Sequence, residues 1–348
     1  MLLLSTKHLS LLIITTLALV SQSPCLAARS TPDYTSNQTQ TQTHNISEIK
    51  RYFRRFGYLP LQDHHYNVSG DTTFDEPLLF KSAILRYQSN LGLPITGKLD
   101  IETVSMIMAP RCGVPDSDAS HQSMHARENY VFFPGKPRWR HDVPMKLTYA
   151  FSKENFIDYL NISDIRAVFK RAFTKWGSVI PVSFVESDDY GFADIKIGFY
   201  SGDHGDGEPF DGVLGVLAHS FTPESGRFHL DAAERWAVDF KKEKSAVAID
   251  LESVAIHEIG HLLGLSHSSV KDAVMYPTLK PRNKKLDLSL DDVNGIQALY
   301  GSNPNFTLSS LLESDISANQ AVDLTGSIRS SSILWATLIL DVLFIFCM

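Results

Sequence analysis

The segment His257-Glu258-Ile259-Gly260-His261-Leu262-Leu263-Gly264-Leu265-Ser266-His267 places three imidazoles and one carboxylate at a spacing that can hold and use a metal ion. Leu251 to Leu263 is largely apolar and free of proline, so it reads as a buried helix. Residues four apart share a helical face, which puts His257 and His261 side by side. Glu258 sits slightly round the helix, within reach of a water on that metal without being a ligand itself. Gly264 allows a left-handed exit from the helix. His267 then returns as a third ligand. Three protein ligands leave one position for water, the arrangement of a catalytic zinc rather than a closed structural one. Met275 follows within Val274-Met275-Tyr276-Pro277. The chemistry such a set performs is metal-assisted hydrolysis of peptide bonds, with Glu258 as general base.

Two further clusters point to metals. His204, Asp206, His219 and His229 come from three nearby segments and suit a closed tetrahedral zinc. Asp211-Gly212, Asp231 and Glu234 offer hard oxygens suited to calcium. Pro110-Arg111-Cys112-Gly113-Val114-Pro115-Asp116 carries a cysteine whose thiolate would take the open zinc position and silence the site. An Arg111–Asp116 pair would hold that loop rigid.

The elements that must position these groups follow from the rest of the 348 residues. Residues 1–27 combine a charged start, a short apolar run and small residues, and read as a secretory signal peptide. A membrane span is the weaker alternative, because the run is well short of the ~20 residues required. Residues 28–45 are polar and read as disordered. Residues 46–116 read as a small helical module that ends in the cysteine loop, with helices expected at 46–56 and 76–88 and a third capped by Asp100. Such a module buries only a modest core and should lean on its neighbour. Residues 117–130 read as an exposed linker open to proteolysis. Residues 131–301 form the main domain. Strands are expected at 147–151, 182–185, 193–199 and 213–221. Ser163 should cap a helix buried through Ile165, Val168, Phe169, Ala172, Phe173 and Trp176, and Ser289 a last helix ended by Gly301. The mixture indicates an α/β or α+β sheet domain.

Residues 302–332 are a polar spacer, and 333–348 are apolar apart from Asp341. This matches a signal for glycosylphosphatidylinositol (GPI) attachment, with a transmembrane tail as the alternative. Removal of both ends would leave Cys112 as the single cysteine of three, and zinc ligation explains a lone thiol in a secreted protein. Sequons at Asn37, Asn45, Asn67, Asn161 and Asn305 agree with secretion and glycosylation. The net charge is −7 without a basic cluster, which argues against nucleic acid as a partner.

In order and combination, the PRCGVPD loop, HGDG, FDG, LAHS, HEIGHLLGLSH and VMYP resemble the matrix metalloproteinases of the metzincin group, most of all the plant-type members without a hemopexin domain. The resemblance implies an α+β fold: a helical, peptidoglycan-binding-like prodomain, then a catalytic domain with a twisted five-stranded sheet and three helices. It implies His257, His261 and His267 as catalytic zinc ligands, Glu258 as general base, and Cys112 as the zymogen's fourth ligand. It further implies His204, Asp206, His219 and His229 as structural zinc ligands, and Met275 as the Met-turn. Calcium would fall to Asp211, Gly212, Asp231 and Glu234 with the carbonyls of Leu214 and Val216; Asp194 alone matches a second calcium site.

The expected protein is a monomeric zinc endopeptidase on the extracellular face of the plasma membrane. It cleaves extended polypeptides before apolar residues and needs two zinc ions and calcium. Two rivals are a glycan-binding protein with an idle zinc site and a metal-stabilised adhesion protein. The intact Glu258 beside three histidines disfavours the first; the second predicts zinc content without turnover.

Overall fold

The computed structural model describes residues 40–60, 76–116 and 130–307, with 40–45 and 76 as backbone only. The expected signal peptide, the linker up to residue 129, most of the spacer and the apolar tail lie outside the described residues, as do Asn37 and Asn67.

Three helices form the N-terminal module: α1 (Gln40–Arg55), α2 (Glu76–Asn90) and α3 (Ile101–Ile107). Asp100 caps α3 as expected, accepting from the Thr103 N–H at 2.9 Å. Helix α1 starts six residues before the expected 46, inside the stretch read as disordered. No glycine or proline interrupts 40–55, so a helix begun on its apolar face can propagate backward. The module's core is aromatic: Phe53, Phe56, Tyr58 and Tyr87, with Ile84, Leu91 and Ile107. That cluster continues into Phe210, Val216 and Tyr276, so the small module completes its core against the larger domain.

The larger domain is built on one mixed sheet in the order β1-β5-β6-β4-β2-β3. Its strands are β1 (Arg111–Cys112), β2 (Met145–Phe151), β3 (Val182–Glu186), β4 (Ile195–Tyr200), β5 (Val216–Ser220) and β6 (Arg227–Asp231). Among the described strands, only β5 and β6 pair antiparallel. Five strands belong to the larger domain; the sixth, β1, comes from the cysteine-bearing loop and runs parallel to β5. Two short strands, β7 (Trp236–Ala237) and β8 (Ile249–Asp250), pair separately.

Three helices accompany the sheet: α4 (Ile162–Val179), α5 (Leu251–Leu262) and α6 (Leu290–Tyr300). Helix α4 buries the six predicted residues along one face, with Val179 as a seventh. Its cap is Asn161, not Ser163; the Asn161 side chain accepts from the Ser163 N–H and hydroxyl, both at 2.9 Å. Helix α5 lies under the sheet, tied by indole N–H donors from Trp176 to Ile256 O (2.8 Å) and from Trp139 to Leu262 O (2.7 Å). Ser289 and Asp292 close a reciprocal capping box on α6. The expected strand 213–221 is shorter, because Leu214 turns at φ 63 before β5 begins.

Candidate active site

Helix α5 presents His257 and His261 on one face. At Gly264 the chain turns with φ 104, and a Cβ there would lie 2.2 Å from the Pro137 carbonyl oxygen, so only glycine fits. His267 then swings back. The Nε2 atom of His261 lies 3.1 Å from those of both His257 and His267. Each ring's other nitrogen is engaged: His257 Nδ1 with Val274 O (2.6 Å), His261 Nδ1 with Leu265 O (2.8 Å), and His267 Nδ1 with the Asp116 carboxylate (2.7 Å). These partners accept, so every Nδ1 carries the proton and every Nε2 presents a lone pair. Burial also pushes His257 and His261 well below the ordinary histidine range, and His267 below it in spite of Asp116. Three lone pairs converging without a proton between them need a cation.

Cys112 supplies a fourth donor. Its Sγ is 3.4 Å from His261 Nε2, and the four ligand atoms lie within 4.8 Å of one another. Burial and the nearby Glu258 push the thiol pKa well up, so only a cation would draw off its proton. Imidazole and thiolate donors at this separation fit zinc.

Glu258 is 0% exposed, and neither carboxylate oxygen has a hydrogen-bond partner of normal geometry among the described residues. Burial raises its pKa to about 7, opposed by the adjacent Cys112 and Ser220. A carboxyl group balanced near neutrality beside a metal centre suits proton transfer.

Met275 packs beneath the ligands. A Cβ on Gly260 would meet its Sδ at 2.2 Å, so the glycine makes room for the thioether. The Asp292 carboxylate, from the first turn of α6, accepts from the N–H groups of Val274 (3.0 Å) and Met275 (3.1 Å) and fixes this turn. Asp292 carries no local signal for this role: its place at the third position of a capping box does not reveal a long-range partner.

The cysteine loop lies along the edge of β5. Arg111 pairs with Val216 and Cys112 with Ala218, while the Gly113 N–H reaches Ala218 O at 2.8 Å. From the other side, the Cys112 N–H reaches Pro277 O at 2.9 Å. A Cβ on Gly113 would sit 2.6 Å from Val216, so the close approach requires glycine. Arg111 is buried, its guanidinium over Phe56 at 3.7 Å and bonded to both Asp116 oxygens at 3.1 and 2.5 Å, the pair expected from sequence. Tyr52 and Tyr58, which the sequence analysis passed over, complete this cluster: Arg111 donates to the Tyr52 oxygen (2.7 Å) and Tyr58 donates to Asp116 (2.8 Å). Arg111 and His267 hold Asp116 below the usual carboxylate range against the effect of burial. Beside Glu258 a pocket opens, lined mainly by Leu217, Val254, Val274, Tyr276, Pro277 and Leu279.

The second expected cluster also assembles. His204 Nε2, His219 Nε2 and His229 Nδ1 each lie 2.8 Å from the same Asp206 oxygen. The His204 ring is stacked between Tyr200 and Phe210, with centroids at 5.0 and 4.9 Å. Burial lowers His219 and His229 to about 4, so both offer neutral donors. This set, too, fits zinc.

The calcium candidates are gathered less tightly. Asp231 accepts from the Gly212 N–H (3.1 Å), Glu234 from the Leu214 N–H (2.6 Å) and Asp211 from the Val216 N–H (2.7 Å). Burial raises Glu234 to about 8 and Asp231 to about 6, each with a neighbouring carboxylate adding to the rise. One Glu234 oxygen is buried without a partner among the described residues. Mutual repulsion of the buried Asp231 and Glu234 and the exposed Asp211 beside them is what a divalent cation would relieve. Asp194 stands elsewhere: its carboxylate accepts from the Thr148 N–H and hydroxyl at 2.7 Å and faces His141 at 3.6 Å. Of the sequons, Asn161 and Asn305 are exposed, and Asn45 lies on α1.

Among the described residues, no helix is long and apolar enough to cross a membrane. Residues 138–301 match the family described as Matrixin, and residues 42–107 a putative peptidoglycan binding domain. Metalloendoproteinase 4-MMP of Arabidopsis thaliana is 59% identical over 315 residues, covering 90% of this chain and 88% of its own length. Metalloendoproteinases 1-MMP and 2-MMP of the same plant are 56% and 47% identical, covering 80% and 75% of this chain and 75% and 72% of their own lengths. A three-histidine centre on the predicted helix and the turn after it, a mixed sheet beside a helical N-terminal module and this degree of identity along nearly the whole chain lead to one conclusion: the chain belongs to the matrixin family of zinc metalloendopeptidases.

Proposed function

We propose that the protein is a secreted endopeptidase made as a latent zymogen, its metal centre closed by Cys112 until residues 46–116 are removed. The observation that carries this is the Cys112 sulfur within the same 4.8 Å cluster as the three histidine nitrogens. His257, His261 and His267 would hold the catalytic zinc, which when bound supplies Lewis acidity. Glu258 takes the proton of the attacking water and returns it to the departing amine. Leu217 and Ala218 on β5 pair with an extended substrate backbone once β1 has left that edge. The pocket under Tyr276 and Pro277 takes an apolar side chain just after the cut.

His204, Asp206, His219 and His229 would hold a second, structural zinc. Asp211, Asp231 and Glu234, with backbone groups of Gly212, Leu214 and Val216, would hold calcium. The protein acts as a monomer outside the cell, tethered by a GPI lipid joined in the segment after residue 301, glycosylated at the exposed sequons and without nucleic-acid partners.

The test is proteolysis by the full chain, intact and after removal of the N-terminal module. The intact chain should be silent, and Cys112→Ser should activate it without a cut. Full activity of the intact chain with Cys112 in place would end the zymogen proposal. Release from cells by a phosphatidylinositol-specific phospholipase checks the tether.

A further inference from the structure

The three metal-centre histidines are not held alike. His257 and His261 lean on backbone carbonyls of their own domain, Val274 and Leu265. His267 leans on a carboxylate, Asp116, whose side chain is 2% exposed and belongs to the cysteine loop. The same carboxylate is held by Arg111 and Tyr58, both part of the N-terminal module. The partner of His267 is therefore charged, fixed by the module and removable with it.

An imidazole whose Nδ1–H points at a carboxylate is held in one orientation and one tautomer, and its Nε2 becomes a better donor. Losing such a partner typically weakens metal binding about 10–100-fold.

We propose that Asp116 is a positioning residue for the metal centre, supplied by the N-terminal module, so that the latent form grips zinc through His267 more tightly than the processed domain does. Cys112 and Asp116 then have separate tasks: the thiol fills the open position, and the carboxylate sets the third histidine. This deepens the zymogen proposal and rests on it, because the distinction matters only if the module is removed.

The experiment uses the full-length protein carrying Glu258→Gln, which keeps the chain uncut, and Cys112→Ser, which leaves the histidines alone to hold the metal. Zinc affinity is measured by competition with a chromophoric chelator. The cobalt-substituted form is examined for its metal-shifted imidazole N–H resonances. Adding Asp116→Asn should weaken zinc binding about 10–100-fold and move one of the three resonances. Arg111→Gln, which breaks the same ion pair but leaves the carboxylate in place, should cost far less. Unchanged affinity on Asp116→Asn would overturn the proposal. So would an equal loss with Arg111→Gln accompanied by movement of all three resonances, which marks a loosened module. Neither result touches the thiol's role, which fails only if the uncut wild-type chain is active.

Discussion

The two histidine clusters use the same donor type in different ways. The Cys112–His257–His261–His267 set draws its donors from three places: a helix, the turn after it, and a loop of another module. Its supporting contacts reach further still, to Asp116 and Asp292. The His204–Asp206–His219–His229 set spans 26 residues of one domain, and its rings are steadied by the aromatic faces of Tyr200 and Phe210. Under the zymogen proposal, Cys112 of the first set would leave with the N-terminal module, whereas all four donors of the second belong to one domain. A centre with a removable donor is suited to switching, and a closed local one to holding loops in place.

The sharpest way to break this contrast is to alter the acid–base group of the first centre alone. Glu258→Gln should lower kcat by about 10²–10⁴, the usual contribution of a general base, with zinc content unchanged. The check is peptide hydrolysis beside metal analysis of the same sample. Loss of zinc in this variant would mean that Glu258 shapes the centre instead of working beside it. Asp206→Ala should do the opposite. It removes the oxygen shared by three histidines at 2.8 Å, so thermal stability should fall by several kcal/mol and the protein should lose one metal equivalent. Calorimetry with metal analysis checks this. Full stability after that loss would strip the second centre of its structural role.

These differences bear on what could be seen in the sequence. The first cluster was legible because a helix converts spacing into direction, and His257 and His261 needed no tertiary information to converge. The second could be named by residue type, but its geometry depends on strand register. Strand β6 was missed although Arg227-Phe228-His229-Leu230-Asp231 alternates polar and apolar residues: five residues make a short run, and the polar His229 and Asp231 are buried ligand candidates instead of a solvent face. Strand β1 has only two residues and exists because the cysteine loop docks on β5, a fact of tertiary contact. Asn161 displaced Ser163 as the α4 cap because both are good caps and the helix simply starts earlier. The contacts of Asp116 and Asp292 with the centre join segments 151 and 17 residues apart, beyond any local pattern.

A smaller perturbation tests the packing under the first centre. Gly260→Ala places a methyl where the Met275 sulfur now sits, with Trp176 at 3.1 Å on the other side. The methyl must push the Met275 thioether aside within a buried, packed site, so the cost should be about 1–3 kcal/mol of stability. The ligands flank this glycine, so zinc affinity should fall too. Denaturant melts and chelator competition separate the two effects. A stability loss with wild-type zinc affinity would show that Met275 supports the fold and not the ligands.

The smallest effect is expected at Ser289, and it asks how far support for the first centre extends. Its hydroxyl caps α6 and donates to the Asp292 carboxylate at 2.7 Å, the carboxylate that also holds the N–H groups of Val274 and Met275. Ser289→Ala should cost about 1 kcal/mol, the usual value of a cap. Asp292 keeps the Ser289 N–H at 2.7 Å and both turn donors in the variant, so the Met275 turn should not move. Zinc affinity should therefore match the wild type while the denaturation midpoint falls slightly. A tenfold loss of zinc affinity would show that the cap hydroxyl aims the Asp292 carboxylate. The first centre would then depend on a chain of contacts from α6 through the turn to His257, whose Nδ1 rests on Val274 O.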